Sequence, residues 1–204
     1  MLPTAYGAGG SPPAPRPHCY TCFKPRVACI CDAVALVDNR TGVTVLQHPR
    51  ERFHPLGTVR IARLGLRRVR IVSCPPWEDC AAVGASLPAG SALLYPSATA
   101  RDLAALPRGQ HPRHLVAIDG TWFLARKVYA AHAWLHALPH VALAPVGQSR
   151  YGSLRREPRP NYLATLEALV DALRILEPDT LGFDGLLAAF DTMIDRQAAF
   201  IAPR

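Results

Sequence analysis

Lysine is almost missing from this chain of 204 residues: of 23 basic side chains only Lys24 and Lys127 are lysines, and the rest are arginines. Acid is also scarce, 15 residues against 23, and the resulting charge of +8 favours an anionic partner such as nucleic acid. In a chain also heavy in alanine and proline, such an arginine skew carries weight only where the arginines gather. Arg60, Arg63 and Arg67 recur at helical spacing, and Arg150, Arg155, Arg156 and Arg159 crowd a proline-rich loop. No apolar run approaches the roughly 20 residues needed to cross a bilayer, so no membrane partner is expected. Residues 1–17 are rich in Pro, Gly and Ala and lack the apolar stretch of a secretion signal, so they read as a flexible tail on a cytoplasmic protein. There is no internal repeat. Half the residues are apolar, enough for one domain with a full core, with or without a small appendage.

The appendage is legible at residues 18–38. Cys19, Cys22, Cys29 and Cys31 fall within thirteen residues as Cys-x2-Cys-x6-Cys-x-Cys, in a stretch with few large apolar groups. Four thiolates around one zinc ion would give so short a piece a centre, because a closed tetrahedral site contributes its binding energy to folding. Disulfides are the rival and require an oxidising compartment. An iron–sulfur cluster is the other alternative, and the spacing matches neither common ferredoxin pattern. His18 is a further candidate ligand. Cys74 and Cys80 lie apart from the four and read as buried thiols.

From residue 39 to 204, short β-prone runs alternate with helical patterns. Strands are expected at 41–47, 69–73, 91–95, 114–119 and 141–143, and helices near 56–65, 77–87, 121–138, 162–177 and 181–200. The strands lack polar alternation, as expected when both faces are covered, so the fold class is α/β with a mainly parallel sheet and helices on both faces.

In such a sheet the carboxyl ends of the strands share one edge, and four polar loops leave from it: His48-Pro49-Arg50-Glu51, Pro96-Ser97, Asp119-Gly120-Thr121-Trp122, and the loop from Pro145 to Tyr151. Asp119 and Thr121 are also suited to capping the next helix, with Gly120 easing the backbone. Leu124, Val128, Ala131, Leu135 and Leu138 form an apolar stripe along that helix, which leaves Trp122, Arg126 and Tyr129 on the other side. An indole, a guanidinium and a phenol on one face suit a base and a phosphate.

With these residues in view, the sequence resembles the DTW-domain family of tRNA-uridine aminocarboxypropyltransferases, named for the Asp-x-Thr-Trp motif present here as Asp119 to Trp122. The resemblance also rests on the four cysteines, His48 to Glu51, Tyr95-Pro96-Ser97, Arg126-Lys127, Ser149-Arg150-Tyr151 with Arg155, and Thr165-Leu166-Glu167-Ala168. Ala164 departs from the serine expected there.

The resemblance implies a knotted, SPOUT-like α/β fold that binds S-adenosylmethionine. It also implies transfer of the cofactor's 3-amino-3-carboxypropyl group to N3 of a uridine in tRNA, leaving methylthioadenosine. Asp119, Thr121 and Trp122 are the implied catalytic residues. His48, Glu51, Pro96, Ser97, Asp119, Gly120, Trp122, Ser149, Tyr151 and Arg155 are the implied cofactor contacts. Arg60, Arg63, Arg126, Lys127 and Arg156 are the candidates to meet RNA. Asp119 has two candidate roles, base for the imide proton or anchor for the cofactor's cationic groups. The alternatives are an RNA methyltransferase with the same cofactor and a non-catalytic zinc-containing RNA-binding protein. A homodimer is an option that one chain leaves open.

Overall fold

Val43, Val45 and Leu46 on one strand, and Leu115 to Ile118 on another, are apolar toward both sides, which suits strands covered on both faces. These strands, β1 (Gly42–Gln47) and β5 (His114–Asp119), lie inside a six-stranded sheet. The computed structural model describes residues 17–144, 149–152 and 163–201. With β2 (Val69–Ser73), β3 (Ser91–Leu94), β4 (Arg101–Asp102) and β6 (His140–Ala142), the order is β2-β1-β5-β3-β6-β4. Every neighbouring pair is parallel.

Alternate residues of the central strands feed two separate cores. On one face Val43, Val45, Leu115 and Ala117 pack with Ile61 of α1 (Val59–Gly65), Leu169 of α5 (Thr165–Leu176) and Phe190 of α6 (Phe183–Ile201). On the other, Leu46, Val116 and Leu93 pack with Val83 of α2 (Ala81–Ala85), Val128 of α3 (Trp122–Ala131) and Leu135 of α4 (Ala133–His136). The expected α/β class, parallel sheet and two-sided helical cover are therefore all present.

The differences have local causes. Strand β4 escaped notice because it is two charged, exposed residues at the sheet edge with no apolar signature. The helix expected over 121–138 is two, α3 and α4, divided where His132 takes an extended backbone (φ −113°, ψ 94°). That break changes the stripe: Ala125, Val128 and Leu135 are buried, while Ala131 is exposed. Cys74 and Cys80 are buried as expected and lie side by side, with Cα atoms 6.0 Å apart. His132 Nε2 lies 3.3 Å from the Cys74 sulfur. The expected tail, residues 1–17, lies almost wholly outside the described residues. Among the described residues no helix is long and apolar enough to cross a membrane.

Two histidines are held neutral by this packing. Burial lowers the pKa of His114, whose Nε2 is 2.9 Å from Thr44 Oγ1, and of His48 at the end of β1. A histidine with a lowered folded pKa contributes stability above its unfolded value near 6.5, and that stability is lost as pH falls toward the folded pKa. The melting temperature is therefore expected to drop between about pH 7 and pH 5.5. The slope should flatten in His114→Gln; an unchanged slope would show that burial of His114 does not set it.

Candidate active site

The register of the central strands builds the site. Gln47 pairs with Asp119 at the carboxyl ends of β1 and β5, and the next amide along, His48 N–H, donates to the Asp119 carbonyl at 2.9 Å. Asp119 is buried, 6% exposed, and both carboxylate oxygens are held. Oδ2 accepts from Gln47 Nε2 at 3.0 Å and Oδ1 from the Thr165 hydroxyl at 2.7 Å. Thr165 is the first residue of α5, so the carboxylate sits at the amino end of a 12-residue helix, where the helix dipole favours an anion.

The rest of the Asp-Gly-Thr-Trp motif divides its labour. Gly120 is favoured by close packing rather than by an unusual backbone angle. A Cβ there would lie 3.2 Å from Leu124 Cβ, which would have to give by a few tenths of an ångström, and in ordinary contact with His48 Cβ at 3.6 Å. Thr121 is the N-cap of α3, its hydroxyl accepting from Leu124 N at 3.3 Å. Capping therefore falls to Thr121 and not to Asp119. Trp122 stays off the helix's buried side and forms a wall of a cleft of about 320 Å3, with Leu94, Pro96, Ala117, Leu143 and Thr165 among the other walls. A smaller cavity lined by Glu51, Asp119 and Tyr151 shares Gly120, Trp122 and Thr165 with it. The pair is large enough for a small-molecule ligand and is mostly apolar with two carboxylates, Glu51 and the hydrogen-bonded Asp119.

The remaining candidates are distributed unevenly. His48 is buried, its Nδ1 accepting from Arg50 N at 3.2 Å and so capping the short helical turn Pro49–Glu51. Ser97 is turned to His140, 2.6 Å from Nδ1, and not to the cleft. Because His140 Nε2 lies 2.9 Å from the Leu135 carbonyl and must donate there, Nδ1 accepts and Ser97 donates. Tyr129 is spent inside the fold, stacked between Tyr95 and His136 at 4.5 and 4.3 Å, so the face shared by Trp122, Arg126 and Tyr129 is not one open platform. Arg126 and Lys127 are exposed beside the cleft. Arg155, Arg156 and the loop residues 145–148 lie outside the described residues.

Glu167 is the organiser that motif reading passed over. Its carboxylate accepts from Ser149 Oγ at 2.7 Å, Arg150 N at 2.8 Å and Ala164 N at 2.7 Å, fixing residues 149–151 to the start of α5. Tyr151 is then buried, its hydroxyl donating to the Leu56 carbonyl at 2.8 Å. Thr165 and Glu167 stood in the quoted Thr-Leu-Glu-Ala run; a threonine and an acid at positions one and three of an amphipathic helix were the available signal.

The cysteine segment joins the same edge. Cys19 and Cys31 sulfurs are 3.7 Å apart, as are those of Cys22 and Cys29, and all four lie within 4.8 Å of one another. These separations far exceed a disulfide bond and match the edge of a tetrahedron with metal–sulfur bonds of about 2.3 Å. Backbone N–H groups of Cys22 and Thr21 hold Cys19 down to about 6. His18 is not part of the group.

Arg60, expected at the RNA surface, is instead buried beneath this segment, donating to the carbonyls of Cys22 and Gly57 at 2.9 Å each and to that of His54. Three carbonyls converging on one position match the guanidinium fork, which is why it is drawn inward. Lys24 is buried beside it, donating to Pro55 O at 2.9 Å and Gln197 Oε1 at 3.0 Å, and burial lowers its pKa to about 8. Arg63 remains exposed and reaches the Thr21 carbonyl.

An all-parallel sheet with a fixed carboxylate, an indole and an apolar cleft at its carboxyl edge defines an α/β protein with a candidate small-molecule site there. Residues 16–198 match the family model described as the DTW domain, and the chain belongs to the DTW-domain family. It is similar to tRNA-uridine aminocarboxypropyltransferase 2 of Drosophila melanogaster, 34% identical over 179 residues that cover 84% of this chain and 71% of the relative. The protein of the same name from Mus musculus is 26% identical over 89% of this chain and 64% of its own length. The Arabidopsis thaliana tRNA-uridine aminocarboxypropyltransferase A is 26% identical over 92% and 83%. No solved structure matches the chain.

The departure at Ala164 has a structural meaning. Ala164 is the N-cap of α5 and has no side chain to accept from the helix, so only the Glu167 half of a reciprocal cap is made. Ala164→Ser is expected to stabilise the protein by about 1 kcal/mol, read as a raised denaturation midpoint. An unchanged midpoint would mean that the first turn of α5 has no N–H available to a serine.

Proposed function

We propose that this chain transfers the 3-amino-3-carboxypropyl group of S-adenosylmethionine to N3 of a uridine in tRNA and releases methylthioadenosine. The observation that carries this reading is the joining of the Asp-Gly-Thr-Trp motif to the apolar strand-edge cleft in a chain whose relatives bear that activity in their names. The cofactor supplies an already activated electrophile: the uridine nitrogen forms a bond to carbon, the sulfonium–carbon bond breaks, and the sulfur leaves as a neutral thioether.

The protein's task is then placement, which can be worth roughly 7 to 11 kcal/mol. Leu94, Ala117 and Leu143 offer the apolar surface for the nucleoside part, with Trp122 as a flat wall. Asp119, fixed by Gln47 and Thr165, is the anion against which the cofactor's cationic groups are set, and we read it as an anchor. The N3 proton passes to solvent. Glu51 and Tyr151 shape the floor on the Asp119 side, with His48 capping the turn that carries Glu51 and Ser149 held behind by Glu167. Thr121 contributes through the cap that orients Trp122.

The reading extends to the segments. We assign zinc to Cys19, Cys22, Cys29 and Cys31 on the separation of their sulfurs, 18–38 as the unit it organises, and 39–204 as the catalytic domain in a SPOUT-like, knotted form. We also place the protein in the cytoplasm with its tRNA substrate.

Incubation with unmodified tRNA and S-adenosylmethionine should yield a uridine heavier by the aminocarboxypropyl group, together with methylthioadenosine. A methylated nucleoside and adenosylhomocysteine would overturn this in favour of a methyltransferase, and RNA binding without cofactor affinity in favour of a binding protein. In Asp119→Asn, cofactor affinity should fall by tenfold or more, about the loss of one charge-assisted contact. Retained affinity with lost turnover would make Asp119 the base, and wild-type turnover would remove it from the mechanism. Chelation should release one zinc ion per chain and lower the melting temperature, because the site's binding energy is also folding energy. A metal-free protein of unchanged stability would overturn the zinc assignment.

A further inference from the structure

Three large aromatic side chains stand in water at the carboxyl edge of the sheet. Trp77, Phe53 and Phe123 are 67%, 63% and 58% exposed. They follow the carboxyl ends of β2, β1 and β5, which are consecutive in the sheet, so all three arise on the edge that carries Asp119. Single exposed rings are ordinary on protein surfaces; three on adjacent strand exits at one edge of the sheet point to a partner.

Each ring is also held and most carry a cation. Trp77 meets the His48 ring edge-on at 5.6 Å, on a loop closed at its base by Cys74 and Cys80. Phe53 meets Phe23 of the cysteine segment edge-on at 5.8 Å, with the Arg52 guanidinium 5.2 Å from its own centre and that of Arg63 5.1 Å from Phe23. Lys127 Nζ stands 4.4 Å over Phe123. Flat apolar faces interleaved with positive charge are the composition of a single-stranded nucleic acid surface, where rings stack bases and cations meet phosphates. A duplex does not fit, because its base faces are already stacked on one another.

We propose that Trp77, Phe53 and Phe123 are the stacking platform for unpaired bases flanking the target uridine, so that the enzyme takes its uridine from a single-stranded stretch of RNA. This rests on the reading of tRNA as substrate. It gives the exposed rings a role and explains why the cysteine segment, through Phe23, is docked at the catalytic edge.

The test uses the full chain with three RNAs: unmodified tRNA, a short single-stranded oligoribonucleotide containing the acceptor uridine, and that oligoribonucleotide paired into a duplex. Fluorescence anisotropy should show the single strand bound at least tenfold more tightly than the duplex. Trp77→Ala and Phe53→Ala should each weaken RNA binding, and raise KM for tRNA, by about tenfold. Cofactor affinity and melting temperature should stay at the wild-type values, and Trp77→Phe should recover most of the loss. Alanine variants that bind RNA like the wild type, equal binding of the duplex, or no binding of any RNA would overturn the proposal. The transfer reading is judged separately, by the mass of the product that the wild-type protein makes on tRNA.

Discussion

Everything at the carboxyl edge of the sheet depends on the pairing of β1 with β5. Because the two strands end in register at Gln47 and Asp119, the side chain of one holds the carboxylate of the other, and the following amide of His48 is tied to the same residue's carbonyl. A slip of one residue would turn Asp119 to the opposite face of the sheet and remove it from α5. The register is secured by apolar residues on both faces of both strands, since each must enter its own core. Position of the acid is thus a by-product of packing across the whole sheet, and the few hydrogen bonds around it only refine where its oxygens point.

The second level of organisation is the start of α5. This helix brings Thr165 to Asp119 and Glu167 to the segment 149–151, so a single helical turn connects three loops that are far apart in sequence. Glu167 is buried with three donors on its two oxygens, which offsets the cost of taking a carboxylate out of water. Such an acid is at once a structural pin and the reason that Tyr151 reaches the smaller cavity. The economy of the site is that binding groups and their supports share the same short turn.

Much of this was legible in the chain. The strands reveal themselves because runs such as Leu115 to Ile118 have no other use than a sheet covered twice, and Asp119 stands out because an acid at the end of such a run is unusual. What the chain concealed falls into three physical kinds. The break at His132 is invisible because Ala, Trp and Leu around it are acceptable in a continuous helix. Arg60 looked like one of a row of surface arginines, yet the Cys22 carbonyl, which arrives from another segment, joins those of His54 and Gly57 to make it a buried strut. The role of Glu167 required the loop at 149–151 to be brought alongside, and no local pattern encodes that meeting.

The cysteine segment is held to the body of the protein by contacts of two very different lengths. Its four sulfurs gather within thirteen residues. Its nearer partners follow soon after in the chain: Arg60 reaches the Cys22 carbonyl, Lys24 the Pro55 carbonyl, and Phe23 meets Phe53. The others are remote: Lys24 bonds Gln197 across 173 residues, and Asp32 holds Arg196 across 164 with two contacts of 2.7 Å. Contacts of such long separation are slow to close. A chain cut short before α6 would thus keep the near set and lose the far one, leaving the segment fastened along one side only.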